Sequence, residues 1–433
     1  MIRVPGPALE PGEALARLAR GERPFLLDGG VEADGLGRYS LAGCDPDDGV
    51  TWRRGDAGDA LSLLEAAAKR WSGGPVDDKP WPVAVGFLSY DLGELLSARR
   101  PFSSVDDLGL PLCDFARYRA VWRWDRAERR AEVLATDARA AEQLLGRLSR
   151  APLPPSAPRL GEVRWETPDA RYRERVARVL EYLRAGDCYQ VNISHRVRVA
   201  LDELGVLPVY LRLRQVAPAP LGAFLSLGAG AAILSNTPEL FLRAQGTRLE
   251  TRPIKGTRPR GASEADDARL REELAASAKD HAEHLMIVDL ERNDLGRVAE
   301  TGSVAVDGFA RAVTLPTVHH LVSTVHARRA AGAGLADLLR ATFPGGSVTG
   351  APKVRAMEII DELEGVRRGP YCGAIGWIGA GGRFDLALAI RTAVWRAGEL
   401  LLSVGGGIVA DSTPGDELEE TRVKAAAFLR ALA

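Results

Sequence analysis

The 433-residue chain is predicted to fold as an α+β protein: a large antiparallel two-sheet β-sandwich with helices packed outside. Two observations carry this expectation. Strand-like and helix-like stretches do not alternate strictly, which argues against a doubly wound parallel sheet. A composition of 46% hydrophobic and 27% charged residues is that of a globular chain burying a large interior.

Residues 1–150 read as an α+β region. Within it, 83–90 is a buried strand, 118–124 a strand with aromatic alternation, and 131–150 a stretch of helical composition. Ala151-Pro-Leu-Pro-Pro-Ser-Ala-Pro158 holds four prolines in eight residues and marks a linker over 151–164. Residues 165–433 form the second region. There Thr167-Pro-Asp opens a helix with a capping residue and a proline in its first turn. Val176, Val179, Leu180 and Leu183 give that helix its apolar face, and Gly186 stops it. Tyr189, Val191 and Ile193 then alternate as a strand. Further strands are expected at 373–378, 384–395 and 400–404, and helices at 262–278, 281–290, 352–363 and 416–432.

Charge excludes several function classes. Net charge is −1 and no long like-charge run occurs, so neither nucleic acid nor an anionic membrane is an expected partner. No apolar run approaches the ~20 residues that span a bilayer, and residues 1–12 lack a signal-peptide pattern. Cys44, Cys113, Cys188 and Cys372 show no CxxC spacing. Free thiols in a reducing cytoplasm are expected, with a cytoplasmic location.

Only six of the 57 basic residues are lysines, and four of them (Lys255, Lys279, Lys353, Lys424) fall inside the segments that follow. A lysine kept in an arginine-rich chain points to sites needing a compact, deprotonable amine. In Thr251-Arg-Pro-Ile-Lys-Gly-Thr-Arg-Pro-Arg260, prolines pin a stretch that sets Lys255 beside an apolar residue and a glycine. That setting suits a nucleophile of lowered pKa; Gly256 permits close ligand approach and Thr257 offers a hydroxyl.

Asp280 and Glu283, three apart, share one helix face; Glu417, Glu420 and Lys424 share another. Each alone is most often a solvated face. Two such faces meeting would form an oxygen-only cage suited to Mg²⁺ holding water and a substrate carboxylate. The glycine-rich loop Gly345-Gly-Ser-Val-Thr-Gly-Ala-Pro-Lys353, with Ser347 and Thr349, leads into a helix whose N-terminus suits an anion. Gly405, Gly406 and Gly407 follow a strand and offer bare amides, with a tight turn as the rival reading. Arg391, on an expected strand, is a fork for another carboxylate, and Tyr371 adds a hydroxyl.

Together these segments resemble the chorismate-binding enzyme family. The resemblance rests on Gly186-Asp-Cys-Tyr-Gln-Val-Asn-Ile-Ser194, Ser235-Asn-Thr-Pro-Glu-Leu-Phe-Leu242, Pro253-Ile-Lys-Gly-Thr-Arg258, the run 282–297, Val318-His-His-Leu-Val-Ser323, Tyr371-Cys-Gly-Ala-Ile-Gly376 and 405–424. It spans roughly 165–428 in family order, with weaker matches at 37–43 and 87–92. Isochorismate and salicylate synthases of the family carry a lysine where Gln190 stands, and anthranilate synthases a small residue where Lys255 stands. Lysine in that slot resembles the aminodeoxychorismate-forming members.

The resemblance implies the following roles. Mg²⁺ is held by Glu283 and Glu420, with Asp280 and Glu417 in support, and binds the ring carboxylate of chorismate. Lys424 and the 405–407 amides assist, while Arg391 and Tyr371 hold the enolpyruvyl carboxylate. Glu239 is the general acid, Lys255 the nucleophile at carbon 2, and His320 lies near the leaving group. Gln190, Gly256, Thr257, Ser347 and Thr349 complete the substrate site. No GxCxG elbow surrounds any cysteine, so ammonia is expected from a separate glutamine amidotransferase subunit.

Overall fold

The computed structural model describes residues 1–71, 79–97, 100–153, 158–228 and 230–433. Two antiparallel sheets, of twelve and ten strands, stack face to face as expected. Phe25, Val85, Phe87, Tyr118, Leu225, Ile233 and Trp377 come from both sheets and form the core between them. Helices cover the outer faces. Pro11–Leu18, Ala138–Leu148, Glu203–Val216 and Pro414–Leu432 pack their apolar stripes on the twelve-stranded sheet. Ala60–Trp71, Ala278–Gly296 and Leu335–Thr342 do so on the ten-stranded sheet.

Strand pairing crosses the proline-rich segment, of which 154–157 lie outside the described residues. Phe25–Asp28 pairs with Leu221–Gly228 (Leu27 opposite Ala223), and Pro82–Leu88 pairs with Ala374–Gly379 (Gly86 opposite Gly376). Residues 1–150 and 165–433 therefore share both sheets through main-chain hydrogen bonds.

Four local expectations are corrected. Residues 131–150 are not one helix. Arg130–Ala135 is a strand between Ala120–Asp125 and Ile2–Pro5, and the helix Ala138–Leu148 starts after Asp137, whose carboxylate accepts from Ala140 N at 3.0 Å. Partners on both sides outweighed the helical composition of five residues. The single strand expected over 384–395 is two, Phe384–Leu388 and Thr392–Arg396, in different sheets. The chain changes sheet at Arg391, which has φ 49° and so sits at a corner rather than on a strand. Thr167 does not cap the Asp169–Arg184 helix; Pro168 holds that position and no side chain caps it. The Gly345 loop does not run straight into a helix. It makes a turn at Gly346–Val348, pairs Gly350–Ala351 with Val191 and Gln190, and only then enters Lys353–Glu364.

Candidate active site

The site forms where the two sheets meet. On the ten-stranded sheet, Ile254–Pro259 pairs with Val318–Arg328 and carries a bulge at Gly256, φ 68°. The left-handed conformation favours glycine, and space demands it too: a methyl there would stand 3.2 Å from the carboxylate carbon of Asp280. On the twelve-stranded sheet, Gln190–Ala200 pairs with Glu399–Ile408 (Asn192 opposite Gly407). The two meet at Gly407, where a methyl would lie 3.1 Å from Lys255 Nζ and 3.0 Å from Gln190 Cδ. The triple glycine thus leaves room for the lysine and amide; it is strand, not a tight turn.

Burial pushes the Lys255 ammonium down from its ordinary pKa; Glu283, Glu239 and Glu420 oppose this and Lys424 reinforces it. Among the described residues no carboxylate lies within 4 Å of Lys255 Nζ. Gln190 is fully buried, and both its amide nitrogen and oxygen are without partners. A buried amide left unbonded costs roughly 1–3 kcal/mol, so this one is set to receive something.

Glu239 is buried, and burial raises its carboxyl to about 7 against the pull of Ser347, Lys255 and Arg391. Ser347 Oγ donates to Glu239 Oε1 at 2.7 Å. A carboxyl titrating near neutrality can give a proton and take it back.

The expected carboxylate faces meet. Glu283 on Ala278–Gly296 is raised by burial, with Asp280 and Glu420 adding to the rise. Glu417 on Pro414–Leu432 is raised by burial and by Glu420. Glu420 is lowered, first by Lys424, whose Nζ stands 2.6 Å from Glu420 Oε1 and 2.8 Å from Gly405 O. A methyl at Gly406 would stand 2.9 Å from Glu417 Oε2 and 3.4 Å from Glu420 Oε1. Glu417 Oε1 accepts from Ser412 at 2.6 Å, while buried Oε2 has no partner. Repelling carboxylates and an orphaned oxygen fit a divalent cation. Among the described residues no three such groups already surround one point.

Asp280 is the exception. It pairs with Arg258 Nη2 at 2.9 Å, and its amide donates to Ser277 Oγ at 3.2 Å, the helix cap. Its role is to hold the Gly256 bulge rather than to join the cluster.

His320 is held between the Gly256 turn and Arg391. Gly256 O, an acceptor only, lies 3.2 Å from His320 Nδ1, so Nδ1 carries the proton. Thr257 Oγ1 stands 3.0 Å from the same nitrogen. The Nε2 lone pair then faces Arg391 Nη2 at 3.3 Å. Burial, then the charge of Arg391, pushes the imidazole down to about 3, so it is neutral near pH 7. It aims the guanidinium, and its one proton is committed to the Gly256 carbonyl. Arg391 itself has no carboxylate within 4 Å among the described residues, and burial lowers its pKa against Glu239. A half-buried guanidinium without a carboxylate partner is a site for an anion.

Two further residues sit close to the site's supporting loops. Thr349 Oγ1 donates to Gly345 O and Gly346 O within its own loop. Tyr371 belongs to the core cluster that holds Phe241, Phe343 and Val348, with its ring centroid 5.9 Å from the Arg368 guanidinium. Ser347 acts through Glu239 rather than directly. Sequence reasoning assigned no particular site role to Lys279, Ser412 or Arg258. The charge of Lys279 bears on Glu283, Glu417 and Glu420 together. Its place four residues before Glu283 was a visible sign; nothing marked Ser412.

Comparison with known proteins agrees with this geometry. A family model described as chorismate binding enzyme matches residues 33–430. This chain belongs to the chorismate-binding enzyme family. Its relatives in that family include anthranilate synthase component 1 of Streptomyces coelicolor, 39% identical over 98% of this chain and 87% of that one. Aminodeoxychorismate synthase component 1 of Klebsiella aerogenes is 43% identical over 78% of this chain and 74% of its own. The crystal structure of anthranilate synthase component I from Streptococcus pneumoniae TIGR4 superposes with a TM-score of 0.79 at 28% identity, covering 90% of this chain and 92% of that one. The superposition takes in the two-sheet architecture of the chain. No helix among the described residues is long and apolar enough to cross a membrane.

Proposed function

We propose that this chain aminates chorismate to 4-amino-4-deoxychorismate. The observation carrying the reading is the Lys255 amine, unpaired and depressed by burial, between the Glu239 acid and the carboxylates of Glu283 and Glu420. Glu283, Glu417 and Glu420 would hold Mg²⁺, which supplies positive charge against the ring carboxylate when bound. Arg391, aimed by His320, takes the enolpyruvyl carboxylate. The neutral Lys255 amine adds at carbon 2, both ring double bonds shift by one position, and the 4-hydroxyl leaves as water with the proton of Glu239. Ammonia then adds at carbon 4, the electrons return, and the lysine departs. Glu239 recovers a proton from the incoming ammonia, so chorismate plus ammonia gives product plus water.

The ammonia comes from a separate glutaminase subunit in this reading. The four cysteines are all buried and lack the nucleophile motif, and the relatives are named as components. Free thiols also suit a reducing cytoplasm. The second reading is anthranilate formation with loss of pyruvate, favoured by the name of the S. coelicolor relative. Mass analysis of products from chorismate, Mg²⁺ and ammonium decides between them. Aminodeoxychorismate without pyruvate is expected, and Lys255→Ala abolishes it. Anthranilate and pyruvate from the native chain, or full amination by Lys255→Ala, overturns the proposal.

A further inference from the structure

A cavity of about 270 Å³ lies outside the cleft, walled by Arg175, Ser194, His195, Arg196, Glu364 and Arg368 among others. Ser194 is four residues along its strand from Gln190, roughly 13 Å away, so this is a separate chamber. Its charges pair off with one left over. Arg196 is paired with Asp107 at 3.0 Å and Glu166 at 3.2 Å, and Arg368 with Glu364 at 2.7 Å. Arg367, also in the wall, is paired with Glu94 at 2.6 Å. Arg175 has no carboxylate within 4 Å among the described residues. It donates to Thr167 Oγ1 at 3.3 Å and to the Glu364 carbonyl at 3.2 Å, and its buried Nε has no partner. The Asp169–Arg184 helix begins at this wall with no side chain over its first-turn amides, so its positive end adds to the same field.

A second observation comes from His195, which is 3% exposed. Thr421 gives its hydroxyl proton to Leu418 O at 2.7 Å, so it can only accept from His195 Nε2, 2.8 Å away. His195 Nδ1 therefore keeps a lone pair, and it is buried without a partner. The chamber thus offers an unsatisfied cation and an unsatisfied acceptor.

We propose that this chamber binds a small oxyanion that also carries a hydroxyl, of which hydrogen phosphate is the simplest. The negative oxygens sit on Arg175 and the first-turn amides, and the O–H donates to His195 Nδ1. Occupancy reaches the catalytic acid through Arg368, which donates to Val348 O at 2.9 Å and Asn192 O at 2.8 Å. Val348 follows Ser347, the donor to Glu239.

Calorimetric titration of the full chain with phosphate and with sulfate tests this independently of the chorismate reaction. At pH 7.5 sulfate matches phosphate in shape and charge but has no proton to donate. Saturable phosphate binding is expected, with sulfate at least tenfold weaker. Arg175→Gln abolishes binding of both anions, Arg175→Lys weakens phosphate binding by about tenfold, His195→Phe removes the preference for phosphate over sulfate, and Arg391→Gln, in the cleft, leaves phosphate binding intact. Absence of phosphate binding, equal affinity for sulfate, or loss in Arg391→Gln but not in Arg175→Gln overturns the proposal. Thermal melting of each variant confirms that it is folded.

Discussion

Ser347 Oγ stands 2.7 Å from Glu239 Oε1, and its proton is the strongest influence holding that carboxyl down against burial. The balance of the two leaves Glu239 near 7. Ser347→Ala removes the downward pull. The acid then keeps its proton to higher pH, and the basic limb of kcat/KM against pH moves upward. A limb that stays in place shows that Glu239 is not the titrating acid.

Lys255→Met separates function from folding. Amination with ammonium falls by roughly a hundredfold or more, because nothing replaces the nucleophile. The folded pKa of Lys255 lies below its ordinary 10.5, so the unfolded chain binds the extra proton more tightly. Native stability therefore rises with pH between the two values. The methionine variant is more stable than the native chain at pH 7, and the difference shrinks as pH climbs toward 10.5. Urea denaturation at pH 7 and 9.5 reads this out.

His320 is neutral throughout the working range. His320→Ala raises the KM for chorismate more than it lowers kcat, since Arg391 loses its acceptor. The pH profile gains and loses no limb between 5 and 8. A limb that vanishes in the variant would return His320 to proton transfer.

Glu417 Oε2 is the orphaned oxygen of the carboxylate cluster. Glu417→Gln raises the Mg²⁺ concentration needed for half-maximal activity by about tenfold or more, and chelator abolishes turnover of the native enzyme. Magnesium titration of initial rates measures the shift. An unchanged requirement places the cation elsewhere.

Arg368 and Glu364 form an ion pair with side chains 2% and 3% exposed. Glu364 also accepts from Ser194 N at 2.7 Å and Ser194 Oγ at 2.8 Å. Arg368→Met leaves that carboxylate buried and unpaired, costing about 3–5 kcal/mol of stability. Arg368→Met with Glu364→Gln recovers part of it. Chemical denaturation of both variants reports the difference.

Much of this was legible in the chain before the structure. Helix spacing put Asp280 with Glu283 on one face and Glu417, Glu420 and Lys424 on another, and the motif at 253–258 singled out Lys255; that these groups and Glu239 share one site was implied by the family resemblance. What was not legible depends on contacts distant in sequence. Nothing near Asp280 says that Arg258 will claim it across 22 residues. Nothing near Thr349 says that its hydroxyl will close its own loop. The corner at Arg391 was hidden because 384–395 is apolar on both sides of it, and a change of sheet leaves no periodic mark. The tautomer of His320 was not legible because it follows from the Gly256 carbonyl, a backbone atom that no side-chain pattern reports.

The pairing of Phe25–Asp28 with Leu221–Gly228, and of Pro82–Leu88 with Ala374–Gly379, makes the two halves of this polypeptide mutually obligate. A fragment starting at residue 165 would expose two open ladders of amides and carbonyls, ready templates for self-association. Cleavage at the proline-rich stretch leaves a nicked particle that holds together, whereas the pieces made separately reach the native state only by folding in each other's presence.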